Sequence, residues 1–324
     1  MLKSYTRQGD QLIAQEDIPT ATAIWYDLLS PTVEEDRTVE ARLSITIPSR
    51  EEMEEIELSS RLYREDGATF MTLTTLAQLD TDAPIKTPVT FIVKDGALVT
   101  VRYVEAKPFI AYVHRAQRQR NVPCGSAEDV MFGIIESIID RTADALEKVG
   151  FEIDAISREV FGKTKVKVDK KTRDLQSLLN LIGQKTELMT MVQESLVSIS
   201  RLVAFHVAGE ERGTKVKAEG AQLVKLIQRD AASLGEHARA LTARLSFLLD
   251  ATLGMINLEQ NQIIKIFSVA AVVFLPPTLV ASIYGMNFDV MPELKWVLGY
   301  PFALVLMVIS AALPFLYFKR KGWL

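Results

Sequence analysis

The sequence predicts an α+β cytosolic domain, built as an α/β sandwich, followed by a long stalk helix and a two-helix transmembrane hairpin. Two runs near the C-terminus, residues 266–288 and 296–318, contain no charged residue. Each run has about the twenty residues that a helix needs to cross the hydrocarbon core of a bilayer. Helical periodicity extends from residue 126 into the first run, whereas residues 1–125 mix short β-like runs with helices.

The charges that flank the two apolar runs predict how the hairpin is oriented. Lys265 precedes the first run and the basic residues 319–321 follow the second, whereas the connecting loop, residues 289–295, contains a single lysine. Because cytoplasmic segments carry the excess of Lys and Arg, both termini are expected in the cytoplasm. The other interpretation, a buried hairpin of a large soluble protein, does not account for the basic flanks or for Trp296 and Trp323.

Composition limits the compartment and the class of partner. The formal net charge of the 324 residues is −4, so nucleic acid is not expected as a partner. Cys124 is the single cysteine, which excludes an intrachain disulfide and fits a reducing compartment. The first 17 residues contain no apolar run, so no cleaved secretory signal is expected. The N-terminal part is therefore expected to stay in the cytosol.

The cytosolic α/β domain, residues 1–125, is predicted from β-rich runs that turn residues separate. The predicted strands are Ala23–Leu29, Ser59–Glu65, Ala68–Leu79, Thr87–Lys94 and Ala97–Glu105. The Asp95-Gly96 pair between the last two runs is typical of a hairpin turn. Two Ser/Thr-x-x-Glu patterns, at residues 32–35 and 49–52, predict helix starts that are stabilised by capping boxes.

Three long helices are predicted after this domain, at residues 126–161, 172–208 and 215–284. A continuous third helix would be on the order of 100 Å long, and it needs packing partners that copies of the chain would supply. The predicted division is an α/β domain (1–125), a helical hairpin (126–213), a stalk (214–265), membrane helices (266–288 and 296–318), a periplasmic loop (289–295) and a basic cytosolic tail (319–324).

One stripe of the third helix differs from its other faces. Alternate steps of three and four residues select Asp250, Gly254, Asn257, Asn261, Ile264, Ser268, Ala271, Leu275, Thr278, Ser282 and Gly285. Small residues at such spacing are typical of tight, dry helix packing in membranes. A ring of helices around a wet pore is the alternative. The polar residues at the cytosolic end favour the pore, because a dry seam would carry apolar side chains there.

Pro276 and Pro277 interrupt the hydrogen bonding of the first membrane helix. Neither proline donates a backbone hydrogen bond, so the carbonyls of Val272 and Val273 lose their helical partners. In lipid these carbonyls need protein or a water-filled cavity around them. A kink that packs against neighbouring helices and a gating bend beside Leu275 both satisfy this requirement.

The end of the first membrane helix carries a short motif, Tyr284-Gly285-Met286-Asn287-Phe288. Met291-Pro292-Glu293-Leu294 follows in the loop, and the chain closes with a basic, aromatic tail, residues 317–324. In this combination the sequence closely resembles the CorA family of bacterial magnesium and cobalt transporters. The match is dense from Asn257 to the C-terminus. Over the cytosolic region it rests on the order of the elements.

The resemblance implies a funnel-shaped homopentamer in the bacterial inner membrane, with a role for each matching residue. Gly285, Met286 and Asn287 correspond to the selectivity motif, and Asp289 and Glu293 to the acids of the outer loop. The family's pore-lining positions fall on Asp250, Asn261, Ile264, Leu275, Thr278 and Ser282. Family members sense cytosolic Mg²⁺ through carboxylates, for which Asp230 on the stalk is the candidate, with a partner that the sequence does not place.

The chemistry of the membrane segments agrees with a Mg²⁺ path. Mg²⁺ gives up its water reluctantly, so a path for the hydrated ion needs neutral oxygens and few carboxylates. Neither membrane run contains Asp or Glu. A divalent ion that moves inward gains about 2.3 kcal/mol per charge per 100 mV, so uptake needs no nucleotide. Gly162-Lys163-Thr164 imitates the end of a P-loop, but Ser157 stands where the earlier glycine is required.

The sequence therefore predicts a non-enzymatic transporter with Mg²⁺ as substrate and regulatory ligand, and with Co²⁺ and Ni²⁺ as further substrates. A zinc-transporting or divalent-exporting member of the same family is one alternative. A membrane-anchored cytosolic enzyme or scaffold is another, and it would need neither the polar stripe nor Asn287. His114, His206 and His237 have no metal-ligand spacing and are interpreted as surface or core residues.

Overall fold

The computed structural model describes residues 1–15, 23–81, 83–118, 122–162, 168–210, 218–287 and 291–323. The described chain forms two compact units. Met1–Gly162 and Asn180–Leu248 make up the first unit, and Lys163–Leu179 and Leu249–Leu324 make up the second.

The first unit contains one seven-stranded sheet. Its strands are β1 (Leu2–Gln8), β2 (Gln11–Gln15), β3 (Trp25–Leu29), β4 (Leu62–Glu65), β5 (Ala68–Ala77), β6 (Ile85–Lys94) and β7 (Ala97–Arg102). The strand order is β2-β1-β3-β7-β6-β5-β4, and only β3 and β7 pair in parallel. The predictions for β3, β5, β6 and β7 are confirmed, with ends that shift by a few residues. The prediction of a strand from Ser59 is wrong, because residues 58–61 form a helical turn and only 62–65 are extended.

The hairpin between β6 and β7 has the predicted turn. Lys94 pairs with Ala97, and the two residues between them, Asp95 and Gly96, have positive φ angles of 49° and 78°. Two consecutive positive φ angles define a type I′ turn, whose twist matches that of the flanking strands. Gly supplies one of these conformations without a steric penalty.

The helices of the first unit include α1 (Val33–Leu43), α2 (Arg50–Glu54), α3 (Leu58–Arg61), α4 (Lys107–Arg118) and α5 (Ala127–Phe161). Three of them, α1, α2 and α5, begin at side-chain caps. Both predicted capping boxes are confirmed, at Thr32 with Glu35 and at Ser49 with Glu52. Ser126 caps α5 by accepting a hydrogen bond from the Asp129 backbone. These bonds satisfy N–H groups that a helix start leaves without partners.

Helices cover both faces of the sheet. Successive side chains of a strand point to opposite faces, so Trp25 and Tyr26 of β3 enter two different cores. Tyr26 packs in a cluster with Val39 of α1 and Met53 of α2. On the other face the Trp25 ring stacks on Tyr5, with centroids 4.4 Å apart, and lies 6.4 Å and 6.1 Å from Phe109 and Tyr112 of α4. The predicted α/β sandwich is confirmed.

After α5, the described part of the chain is mainly helical. It contains α6 (Val168–Glu210), α7 (Ala218–Tyr284), a 3-10 helix (Pro292–Lys295) and α8 (Gly299–Arg320). α7 is one helix of 67 residues that continues through Pro276 and Pro277, as predicted. It contributes to both units, since the boundary follows Leu248.

Three helical segments in the described part of the chain are long and apolar enough to cross a membrane. They are Leu175–Gly209, Gln222–Tyr284 and Gly299–Arg320. The most apolar window of the first segment is 44% buried within the protein, against 6% for each of the other two. Met189, Val192 and Leu196 of the first segment are fully or almost fully buried, so its apolar face belongs to a protein core. The other two segments contain the runs that the sequence predicts to span the membrane.

Candidate functional site

The two apolar helices of the second unit expose large hydrophobic side chains. Phe267, Phe274 and Leu275 of α7 are 72%, 71% and 72% exposed. On α8 the side chains of Val308 and Leu313 are 67% and 64% exposed. Such an apolar surface is not stable in water and requires lipid or another protein chain to cover it. This exposure supports membrane insertion of the hairpin.

The candidate pore-lining residues of the sequence analysis are all exposed. Ile264 is 61% exposed, and Asp250, Asn261, Thr278 and Ser282 belong to the same exposure class. They follow one another at helical spacing along α7, which the structure confirms as a single helix. Their side chains are therefore available to copies of the chain, to lipid or to an aqueous passage.

Thr278 has a defined hydrogen bond directly after the proline pair. Its Oγ1 donates to the carbonyl oxygen of Phe274, one turn earlier, at 2.7 Å. A hydroxyl group has one donor and two acceptor lone pairs, so this bond uses the donor and leaves the oxygen to accept. Water that is bound to a cation donates hydrogen bonds outward. Thr278 thus presents an acceptor suited to a hydrated cation.

The Gly-Met-Asn motif lies where α7 ends. The backbone N–H of Gly285 donates to the carbonyl of Ala281 at 2.9 Å, and that of Met286 donates to Ile283 at 3.3 Å. A Cβ atom at position 285 would lie 3.1 Å from the Ala281 carbonyl oxygen, which is tighter than most Cβ contacts. Because glycine has no Cβ atom, the chain can end the helix with this close approach to the Ala281 carbonyl. Asn287 follows just beyond the helix end, and its side chain is exposed.

The two acids of the predicted outer loop are described only in part. Asp289 lies outside the described residues, as does Phe288. Glu293 lies in the short 3-10 helix, where the structure describes its backbone and not its side chain.

The two basic flanks of the hairpin lie at the same end of it. The ammonium nitrogen of Lys265 is 5.8 Å from the centroid of the Trp323 ring, which stacks on Phe318 at 5.2 Å. Lys321 lies over Tyr317 at 5.8 Å. α7 and α8 are thus antiparallel, and their positive charges gather at the end opposite the Gly-Met-Asn motif.

In the first unit, Asp230 lies near two carboxylates that the sequence analysis did not identify. Burial raises the pKa of Glu136 on α5, Arg115 opposes the rise, and Asp140 and Asp230 add to it. Burial likewise raises the pKa of Asp140, with Arg115 opposing and Asp144 and Asp230 adding to the rise. Residues 136, 140 and 144 are four apart and therefore lie on one face of α5. This spacing is the sequence feature that could have identified the acidic cluster.

Arg115 is the cation that balances these acids. Its guanidinium lies 3.8 Å from Glu136 and 4.0 Å from Asp140, and it donates to the hydroxyl of Ser137 at 2.6 Å. No group of three or more His, Cys, Asp or Glu side chains in the described residues could hold a metal ion by itself. To bind a cation, Asp230, Glu136 and Asp140 would therefore need further oxygens from water or another chain.

The remaining candidates of the sequence analysis occupy ordinary positions. Gly162 follows the end of α5 with extended backbone angles, and Lys163 and Thr164 lie outside the described residues. The ring of His206 is buried edge-on against Phe132 at 5.2 Å, and His114 and His237 are exposed on helices.

Comparisons with known proteins cover the whole chain. Residues 20–320 match the family described as CorA-like Mg²⁺ transporter protein. Proteins named magnesium transport protein CorA from Pasteurella multocida and Escherichia coli K12 are 35% and 36% identical to it, over 100% of each chain. The complete structure of the CorA magnesium transporter from Methanocaldococcus jannaschii superposes with a TM-score of 0.79 at 17% identity, covering 100% of this chain and 99% of that one. Full-length CmaX gives a TM-score of 0.68 at 14% identity, covering 99% and 97%. By this match and these identities, the chain belongs to the CorA-like Mg²⁺ transporter family.

Proposed function

We propose that copies of this chain form a channel-like transporter that admits Mg²⁺ through a passage lined by α7. The proposal depends on one observation about α7. Within its apolar run this helix carries an exposed stripe without carboxylates, and it ends at the Gly-Met-Asn motif. The two relatives, named magnesium transport proteins and matching along their full length, support the choice of Mg²⁺.

The passage would act on a cation that keeps most of its water. Thr278, whose own hydrogen is held by Phe274, accepts from that water, and Ser282 adds a second hydroxyl oxygen. Asn287 at the mouth offers a side-chain carbonyl from each copy. Asp289 and Glu293 raise the local concentration of cations outside the mouth. Leu275 and Ile264 are the apolar constrictions of the same passage, and Asn261 and Asp250 continue it toward the cytosol.

A ring of five chains in a funnel-shaped homopentamer is the proposed assembly. Both membrane helices expose apolar surface that contacts between copies would bury. In the proposed arrangement α7 lines the passage and α8 forms an outer ring. The proposed location is a bacterial inner membrane with both termini in the cytoplasm, which the positive charges at the Lys265 end favour. The membrane potential would drive uptake without nucleotide, and the same weak oxygen ligands would admit Co²⁺ and Ni²⁺.

Cytosolic Mg²⁺ is the proposed regulatory ligand. Asp230 belongs to a set of acids with Glu136 and Asp140 whose mutual repulsion a divalent cation would relieve. The single chain supplies an incomplete set of ligands, so the proposed site would be completed where neighbouring copies meet. Mg²⁺ bound at these sites would hold the copies together, and loss of this Mg²⁺ would open the passage.

The test is growth rescue of a magnesium-uptake-deficient bacterium at low Mg²⁺. Asn287→Ala is expected to abolish rescue although the protein is inserted in the membrane in normal amount. Ser310→Ala is the matched control, because the Ser310 hydroxyl donates to the carbonyl of Met307 within its own helix, at 2.8 Å, and lies on α8. Full rescue by Asn287→Ala would remove the motif from the path.

A further inference from the structure

A cleft of about 770 Å³ opens in the first unit, and neither Asp230 nor its neighbouring acids Glu136 and Asp140 line it. Its walls are strands β5 and β6, the segment that contains α2 and α3, and one face of α6. Five charged side chains line it: Glu54, Arg61, Lys86, Glu194 and Arg201. Its volume lies within the range of about 300–1,000 Å³ that is typical of small-molecule sites.

Both carboxylates of the cleft already have partners. Glu194 accepts from Lys86, Nζ to Oε2 2.8 Å, and Glu54 accepts from Arg50, Nε to Oε1 2.9 Å. Arg61 and Arg201 form no ion pair with a carboxylate of the described residues. The cleft therefore keeps two guanidinium groups that no carboxylate of the described residues pairs with directly.

Arg61 is held in a fixed orientation. Its Nε donates to the carbonyl of Glu55 at 2.5 Å, and its Nη1 donates to Oγ1 of Thr74 at 3.1 Å. In the described part of the chain its Nη2 has no partner. Burial lowers the pKa of Arg61, and the positive charge of Arg201 lowers it further, with Glu194 opposing. The two guanidinium groups are thus close enough to repel each other.

Apolar side chains at the cleft are unusually exposed. Ile56, Leu58 and Val197 are 91%, 50% and 48% exposed, and all three line the cleft. They could cover a non-polar part of a bound molecule. Two forked guanidinium groups are suited to the oxygens of a phosphate, which they bind through paired N–H groups.

We propose that this cleft binds a small phosphate-bearing solute through Arg61 and Arg201. The anion would accept from the free Nη2 group of Arg61 and from the guanidinium of Arg201. It would relieve the repulsion between them. The ligand lies in the cytosolic unit, and its binding does not depend on whether the hairpin conducts Mg²⁺.

The test is titration calorimetry of the purified full-length protein with sodium pyrophosphate, in a buffer without divalent cations. Saturable binding is expected. Arg201→Gln should weaken it at least about tenfold, which corresponds to about 1.4 kcal/mol for the loss of one paired guanidinium contact. Arg158→Gln, on the exposed face of α5 outside the cleft, is the matched control and should bind like the parent protein.

Arg61→Gln should weaken binding to the same degree, but it also removes the bonds to Glu55 and Thr74. A second measurement avoids this ambiguity. Phenylglyoxal modifies accessible arginines, and mass spectrometry reports each site. Pyrophosphate should protect Arg61 and Arg201 and leave Arg158 reactive. The proposal is overturned by the absence of saturable binding, by binding that Arg201→Gln leaves unchanged, or by equal protection from the same ionic strength of sodium chloride.

Discussion

Arg102 of β7 and Asp27 of β3 form a two-pronged ion pair inside the α/β sandwich. Nη2 of Arg102 lies 2.8 Å from Oδ2 of Asp27, and Nε lies 3.0 Å from Oδ1. Both side chains are only 4% exposed. The Arg102 guanidinium also lies over the Phe109 ring at 4.4 Å, and Thr100 donates to Asp27 at 2.8 Å. The pair therefore ties the single parallel strand contact of the sheet to α4.

Asp27→Asn is expected to destabilise the first unit strongly. It removes the buried carboxylate partner of Arg102 and leaves the guanidinium with the half-exposed Glu105 alone, 2.8 Å from Nη1. Removing one partner of a buried ion pair costs about 3–5 kcal/mol in comparable cases. At about 2–4 °C per kcal/mol the melting temperature of the purified protein should fall by roughly 6–20 °C. Glu54→Gln is the control, because it breaks the exposed pair with Arg50 and should change the melting temperature by about 2 °C or less. Equal melting temperatures for both variants would contradict this role of the pair.

The parallel contact between β3 and β7 shows what sequence patterns leave open. Each strand is recognisable from its β-rich run, but about 70 residues separate the two partners, and no local signal specifies which strands pair.

The β1–β2 hairpin was not predicted from the sequence, for another reason. Its strands contain Lys, Arg and Gln, and only Tyr5 and Leu12 are among the fully buried hydrophobic residues, so the alternation is weak. Capping boxes and the Asp95-Gly96 turn were predictable because their geometry depends on adjacent residues alone.

Gly133→Ala should destabilise the contact between α4 and α5. A Cβ atom at position 133 would lie 2.2 Å from Cε2 of Tyr112, whose side chain is fully buried. The ring has no space to retreat, and overpacking of a core costs about 1–3 kcal/mol. The measurement is the thermal unfolding of the purified protein.

Gly150→Ala is the control on the same helix, where nothing lies within 4 Å of the added atom. Alanine has the higher helix propensity, so this variant should gain up to about 1 kcal/mol. A loss of stability in Gly150→Ala as large as that in Gly133→Ala would indicate that α5 itself, rather than Tyr112, limits the substitution.

The candidate site was predicted unevenly, for physical reasons. The Gly-Met-Asn motif and the stripe on α7 are contiguous or periodic in sequence, so one helix is enough to find them. The acids near Asp230 come from α5, about 90 residues earlier, and only the packing of the two helices brings them together. Where neighbouring copies complete such a site, a single chain contains only part of its chemistry.

Asp230→Asn should weaken the response of the protein to Mg²⁺. Removing one carboxylate from a partly exposed acidic set lowers its attraction for a divalent cation. The Mg²⁺ concentration for half-maximal protection from proteolysis should therefore rise by about three- to tenfold. Glu236→Gln, on an exposed position of the same helix, is the matched control. Unchanged protection in Asp230→Asn would exclude this residue as a regulatory ligand.

The same acids predict a pH dependence of the Mg²⁺ effect. Because the pKa values of Glu136 and Asp140 are raised in the folded protein, the folded state holds their protons more firmly than the unfolded chain. Their charge therefore opposes folding at neutral pH, and this cost disappears as the pH falls through the raised pKa values. The Mg²⁺-induced rise in melting temperature should be smaller at pH 5 than at pH 7. A rise of equal size at both pH values would contradict a role for these carboxylates.

Gly285→Ala should impair Mg²⁺ uptake without unfolding the protein. The added methyl group would lie 3.1 Å from the carbonyl oxygen of Ala281, which already accepts the N–H of residue 285. A shift of a few tenths of an ångström at this helix end moves Asn287, two residues later, relative to its copies. In the proposed passage, hydrated Mg²⁺ would meet these amide groups together. We therefore expect uptake to fall by about tenfold or more, although a single misplaced contact would cost little stability. Gly235→Ala tests whether any alanine in α7 has this effect, since its nearest neighbour is the flexible end of Arg239 at 4.0 Å. Uptake should be normal in that variant, and normal uptake in Gly285→Ala would show that the close approach at the helix end does not position Asn287.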